Sequence, residues 1–294
     1  MKTISRLMLI TLISLLLAPA PAICQLLKTG FADIEGRMVY FEVKGQGSAI
    51  VLIHGFSLDT RMWDPQFDVL AQYHRVVRYD ISGYGRSSVP DSSVSSSSEL
   101  AALLKTLAID KAAVIGMSMG GSVAINFTLE HPEMVEALIT VGSTLNGYTM
   151  REPRASRTER LFSLAGDSGL AVAKENWLND PFLTPVVHAS AIRAKIRQII
   201  TEWSGIQFKN RAKVRFVPIR PPAITRLEEI KIPTLAIVGG LDDPNMLAIA
   251  DTIAARIAQA KKVIVPESGH LLNLERPGEF NKLVLDFLRE NVKR

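Results

Sequence analysis

Short apolar runs alternate with longer stretches of helical period along most of this chain. Met38 to Val43 and Ser48 to Ile53 read as strands, with Gly45-Gln46-Gly47 turning between them. Arg75 to Tyr79 is a further strand, ending at Asp80. Lys111 to Ile115 is another, mostly apolar and so predicted to be buried. Later strands are predicted at Ala137 to Val141, Thr234 to Val238 and Lys262 to Val265. Between them, Ser96-Ser97-Ser98-Glu99 offers a capping box for helical periodicity over Leu100 to Leu107. A second helix starts at Ser122 and is stopped by His131-Pro132, and Glu279 to Asn291 closes the chain as an amphipathic helix. The alternation predicts an α/β fold, a mainly parallel sheet with helices on both faces.

From about Gly142 to Arg226 the alternation breaks. Glu159 to Leu164, Leu170 to Trp177 and Ser190 to Trp203 have helical period, and Pro218, Pro221 and Pro222 mark the return to the sheet. The expected organisation is a core at 26–143 and 226–294 with a helical cap inserted at 144–225, over the carboxyl edge of the sheet. The cap carries 13 Lys/Arg against six Asp/Glu, and Arg151, Arg154, Arg157 and Arg160 recur every third residue. The plain reading of that row is a solvated helix face. The alternative is an attractive rim for anionic substrates or for a negative envelope surface.

Composition changes the picture mainly at the N-terminus. The 294 residues are 47% hydrophobic and 21% charged, ordinary for a globular protein with a sizeable core. Lys2 and Arg6, the apolar Leu7 to Leu17 and the small-residue site Ala20-Pro21-Ala22 have the form of a secretory signal peptide over 1–22. That apolar stretch is far shorter than the roughly 20 residues of a membrane span. The expected location is therefore extracytoplasmic, periplasmic or secreted. Cys24 is the only cysteine, so no intramolecular disulfide can form. It invites a lipoprotein reading, which Ile23, standing where a small residue is wanted, disfavours. Removing the leader leaves a mild positive excess that does not suggest nucleic acid.

The sharpest chemical signal is Gly116-Met117-Ser118-Met119-Gly120. A Ser between two glycines at a strand-to-helix corner sits on a tight turn that exposes its hydroxyl and gathers backbone N–H groups around it. That is a candidate nucleophile, which needs a base, an orienting acid and an oxyanion hole. Of five histidines, His270 lies directly after the strand Lys262 to Val265, where α/β sites form. His74, His131 and His188 read as structural or surface residues, and His54, fixed before Gly55, as a loop-shaping one. The acid is expected after Thr234 to Val238, where Asp242 and Asp243 are both candidates. The order Ser118, Asp242, His270 is the nucleophile–acid–histidine order of this class of sheet. Backbone N–H groups of Phe56 and Met119 are placed to form the oxyanion hole, at about 3–4 kcal/mol per donor. Apolar residues nearby, Phe56, Met117, Leu145 and Leu271, suggest an acyl pocket.

Taken together, His54-Gly55-Phe56, Asp80-Ile81-Ser82-Gly83-Tyr84-Gly85-Arg86-Ser87, the Ser118 corner, Gly239 to Asp242 and Gly269-His270 resemble the α/β-hydrolase superfamily over nearly all of the chain beyond the leader. The likeness is greatest to small capped hydrolases: carboxylesterases, enol-lactonases and carbon–carbon bond hydrolases. The resemblance implies a Gly-x-x-Asp acid, favouring Asp242 over Asp243. Dehalogenases and epoxide hydrolases, which it also resembles, need a carboxylate nucleophile where Ser118 stands. One departure is Ser82, where many members carry Arg; it bears on a supporting contact and not on the triad.

The expected reaction is hydrolysis of a small-molecule carboxylic ester or lactone through an acyl-enzyme, an anionic substrate being one option. Carbon–carbon bond hydrolysis would use the same residues, and a non-catalytic ligand receptor on the same fold is the alternative of another class. An aminopeptidase would need an acidic anchor, against which the basic insertion argues. No cofactor and no metal are expected, since neither a phosphate loop, a dinucleotide fingerprint nor paired ligands at metal spacing occur. The insertion carries no recognition motif for one substrate, and the chain no signal of oligomeric state.

Overall fold

The strands assemble in the order β1-β2-β4-β3-β5-β6-β7-β8 into one eight-stranded sheet. The computed structural model describes residues 26–183, 190–209 and 217–292. The predicted leader, Cys24 and His188 lie outside the described residues. Strands β1 (Lys28–Ile34) and β2 (Arg37–Lys44) form an antiparallel hairpin, and β2 runs antiparallel to β4 (Arg75–Tyr79). From β4 onward every pairing is parallel, through β3 (Ala49–Ile53), β5 (Ala112–Met117), β6 (Val135–Val141), β7 (Thr234–Gly239) and β8 (Ala260–Val265). Every residue of β3, β5 and β7 is buried. That is the mark of parallel strands covered on both faces, and it explains their unbroken apolar runs. The predicted α/β class is therefore the observed one.

The helices between strands are α1 (Asp64–Ala71), α2 (Ser96–Thr106), α3 (Met119–Glu130) and α8 (Pro244–Arg256), and α9 (Leu272–Glu275) and α10 (Pro277–Asn291) follow the last strand. Helix α3 packs on β5 and β6 and buries eight of its twelve residues, leaving Met119, Ser122, Asn126 and Glu130 on its less buried face. The predicted capping box fails in one detail. Ser95, not Ser96, caps α2 by accepting the Ser98 N–H at 3.2 Å. The Glu99 carboxylate is instead buried and accepts both the N–H and the hydroxyl of Ser82. Ser82, the departure noted above, thus has its partner in Glu99.

Between β6 and β7 the chain leaves the sheet for α4 (Arg154–Asp167), α5 (Leu170–Leu178), α6 (Ser190–Glu202) and the single turn α7 (Ile206–Lys209). Helix α4 is longer than its predicted core at both ends. These helices are held to the sheet by rings more than by charges. Phe56, on the loop after β3, lies with its centroid 5.9 Å from Trp177, 5.2 Å from Trp203 and 5.8 Å from Phe208. Edge-to-face pairs of this kind contribute about 0.5–1.5 kcal/mol each beyond the area they bury. The Trp177 indole N–H also donates to Ser57 Oγ at 2.7 Å, inside the core. Arg61 with Glu202 and Lys195 with Asp64 add half-exposed ion pairs at the edge, where such pairs are worth little.

Candidate active site

Ser118 stands between β5 and α3 with φ +55° and ψ −117°. Holding a non-glycine residue there costs on the order of 1–3 kcal/mol, which the surroundings must over-determine. They do: Ser118 N–H donates to Val141 at 2.8 Å, and its carbonyl accepts from Gly121 and Thr144, each at 3.0 Å. The flanking glycines are required by close approach. A Cβ on Gly116 would lie 2.1 Å from the Gly120 carbonyl oxygen, and one on Gly120 would lie 2.3 Å from that of Ile53. The tightness of the corner comes from backbone on backbone, and no side-chain adjustment could relieve it.

The loops after β7 and β8 are tied together before they deliver any chemistry. Gly240 N–H donates to Val265 at 2.8 Å and Leu241 N–H to Ser268 at 2.9 Å. Across this joint His270 Nδ1 faces the Asp242 carboxylate, 3.0 Å from Oδ2 and 3.1 Å from Oδ1. A carboxylate can only accept here, so Nδ1 carries the proton and Nε2 is left as the basic nitrogen. Both side chains are buried, and Nε2 has no hydrogen-bond partner among the described residues. Gly142, just past β6, makes room for the pair. A Cβ there would lie 2.9 Å from Asp242 Oδ2 and 3.0 Å from His270 Nδ1. Behind the histidine, Glu275 accepts the Gly269 N–H at 2.8 Å, and burial pushes its carboxyl above the ordinary carboxylate range.

Asp243 points elsewhere. One of its oxygens caps α8, accepting the Asn245 N–H at 2.9 Å, and the other meets Arg157 at 3.1 Å. His54 is likewise committed: Nδ1–H donates to its neighbour Gly55 at 2.8 Å and Nε2 accepts from Ile81 at 3.0 Å. Burial lowers its affinity for a proton, so the ring is neutral and fixed. His74 is held by Ser48 at 2.9 Å.

Ser118 and His270 face one cavity of about 220 Å³ at the carboxyl ends of the parallel strands. No hydrogen bond joins the two side chains among the described residues; such contacts tighten when substrate docks. Phe56 and Met119 line the same cavity. Met119 opens α3, so its N–H is one of those a helix leaves unpaired. Met117 and Leu271 also line it. Leu145 does not: it is buried in the core, and its neighbour Thr144 faces the cavity in its place. The reading of Leu145 as a pocket residue is corrected accordingly.

The cap supplies walls that the sequence had not assigned to the site, among them Met150, Arg154, Phe162, Trp177 and Phe182. Phe182 stacks on the His270 ring with centroids 3.6 Å apart. The row of arginines proves mixed. Arg151 and Arg160 are exposed, but Arg154 turns inward, its side chain only 12% accessible, and Arg157 reaches Asp243. The solvated-face reading thus holds for two of the four. Their period of three was the available signal, and only the helix's orientation on the core shows which members turn in. Among the described residues no group of metal-ligating side chains converges, and no helix is long and apolar enough to cross a membrane.

Comparison with known proteins identifies the fold and the family. The model of the alpha/beta hydrolase family matches residues 50–283. A pimeloyl-[acyl-carrier protein] methyl ester esterase of Yersinia enterocolitica is 26% identical over 87% of this chain and 99% of its own length. A thermophilic esterase from Thermogutta terrifontis superposes with a TM-score of 0.73 at 26% identity, covering 92% of this chain and 99% of that one. The enol-lactonase of Burkholderia xenovorans LB400, at 23% identity and a TM-score of 0.75 over 88% and 99% of the two chains, shares the fold. The chain belongs to the alpha/beta hydrolase family.

Proposed function

We propose that this alpha/beta hydrolase cleaves carboxylic esters through an acyl-enzyme on Ser118, with His270 as general base and Asp242 as the acid that orients it. The observation that carries the reading is the His270 ring. Asp242 fixes its Nδ1 proton, and its unpartnered Nε2 belongs to a side chain that lines the cavity into which the Ser118 corner opens. Ser118 Oγ attacks the carbonyl carbon as its proton passes to Nε2, and the oxyanion is met by the N–H groups of Phe56 and Met119. The leaving alkoxide takes that proton from the imidazolium. Water then attacks the acyl-enzyme with His270 again as base, and collapse returns the proton to Ser118 and releases the acid. The 144–225 cap closes over the acyl chain and sets which one fits. The apolar lining favours an acyl chain over a peptide amine, and esters ask least of a site beyond the triad. Lactones fit the same chemistry.

Hydrolysis of short and medium p-nitrophenyl esters by the protein lacking residues 1–22 tests this. Turnover is expected from the native chain, with a loss of about a millionfold in Ser118→Ala. Equal activity in the two proteins would sink the mechanism. Saturable ligand binding with no hydrolysis of any ester would favour a receptor instead.

A further inference from the structure

Arg154 is out of place by every local rule, and that makes it informative. It is the first residue of α4, where the helix end is positive and a carboxylate would be favoured. No acidic residue occupies the first turn, and the nearest, Glu152, is spent on Ser156. The guanidinium lies with its carbon 3.8 Å above the Phe182 ring, so one face is apolar. The carboxylate paired with it, Asp180, is 3.5 Å from Nη1 without hydrogen-bond geometry, and Asp243 and Asp242 favour its charge from farther off. That same Asp180 accepts the Phe182 N–H at 2.8 Å and also attracts Arg157. Nη1 is buried and makes no hydrogen bond among the described residues. Desolvation works against the charge, pulling the group below the ordinary arginine range. An arginine still keeps its proton, so an incompletely satisfied cation stands at the wall of the cavity. Among the described lining residues it is the one permanent charge.

We propose that Arg154 is a carboxylate anchor, and that the cavity takes esters or lactones whose acyl chain ends in a free carboxylate. The inference rests on the hydrolase reading for the word acyl, and on the cavity alone for the carboxylate. A planar guanidinium presents paired N–H groups that match a carboxylate in two places at once. The rest of the lining is largely apolar and suits the methylenes between the two ends. At about 220 Å³ the space falls below the roughly 300–1,000 Å³ of drug-sized sites, so the diacid is short. With a single cation, the wall is poorer in donors than a phosphate would want. An anchor on the acyl side has a mechanistic use: the acyl part must keep its place through both half-reactions, while the alcohol leaves after the first.

The test sets monomethyl esters of linear dicarboxylic acids, succinate to pimelate, against methyl esters of the matching monocarboxylic acids. The native chain is expected to prefer the half-ester by at least about tenfold in kcat/KM at its best length. In Arg154→Met that ratio should collapse by on the order of 30-fold, while Arg154→Lys, which keeps the charge and loses the fork, should fall between the two. In parallel, calorimetry with Ser118→Ala should show the dicarboxylate binding more tightly than the monocarboxylate, an advantage lost when Arg154→Met is added. Half-ester and neutral ester falling together in Arg154→Met, or a native preference for the neutral ester, overturns the anchor and leaves the hydrolase reading standing. Dicarboxylate binding through Arg154 with no ester turned over does the reverse.

Discussion

Asp242 and Asp243 are neighbours in the chain, yet their carboxylates do different work. Asp242 holds the imidazole of His270, and Asp243 caps α8 and pairs with Arg157. On this division Asp242→Asn should lower kcat by roughly 10⁴-fold, because the amide would favour the wrong histidine tautomer. Asp243→Asn should stay within about tenfold of the native rate, since Asn caps a helix as well as Asp does. Steady-state kinetics on one p-nitrophenyl ester decides it, and the opposite ranking refutes the assignment. Residue chemistry of this kind was only partly legible beforehand. The strand preceding the pair is readable from its apolar run, but which of two adjacent aspartates turns toward His270 depends on the bonds between the loops after β7 and β8. Family resemblance, not spacing, singled out Asp242.

At the scale of elements, the loop after β3 shows how a buried polar residue shapes a site without taking part in its chemistry. Both His54 nitrogens are committed to backbone groups, and the ring can stay so only while neutral. Burial sets its proton affinity below the ordinary 6.5, with Asp80 opposing in part. The native state therefore binds fewer protons at this ring than the unfolded chain does, so the stability it supplies is present above about pH 6.5 and lost as pH falls below it. Urea midpoints at pH 7.5 and 5.5 should show the native chain losing stability at the lower pH relative to His54→Gln, in which that position cannot titrate. Buried Glu99 and Glu275 are shifted upward and act in the other sense in both proteins, so they cancel, and the difference reports His54 together with its effect on neighbouring Asp80. Identical pH slopes would contradict the assignment. Strands buried on two faces, β3, β5 and β7, were readable because their sequences are apolar apart from Thr234 at the head of β7. The edge strand β1 was missed: it opens with Lys28, Thr29 and Gly30, exposes alternate positions and depends on pairing with β2. Helices α1 and α8 were missed as well. Each carries a proline in its first turn, Pro65 in α1 and Pro244 in α8, and α8 has its cap in Asp243, the residue also weighed as a catalytic acid.

At the scale of the whole molecule, the site is a meeting of loops from five strands under a basic cap. Phe56, Ser118, Thr144, Asp242 and His270 follow β3, β5, β6, β7 and β8 in turn, and the chain brings them together only because those strands are parallel and adjacent. That much follows from the alternation of strands and helices. What the cap adds does not, because Phe162, Trp177 and Phe182 are placed by docking on Phe56 and His270, and Arg154 by lying over Phe182, contacts with no trace in local pattern. On the proposed function, the reaction is written mainly in the core and the choice of substrate mainly in the insertion. Everything proposed for either turns on Ser118 being a nucleophile activated by His270. Labelling with a fluorophosphonate, followed by mass analysis of the peptides, reads that directly. One adduct is expected, on the peptide carrying Ser118, forming far more slowly in His270→Ala and absent in Ser118→Ala; no adduct, or one on another residue, would contradict it.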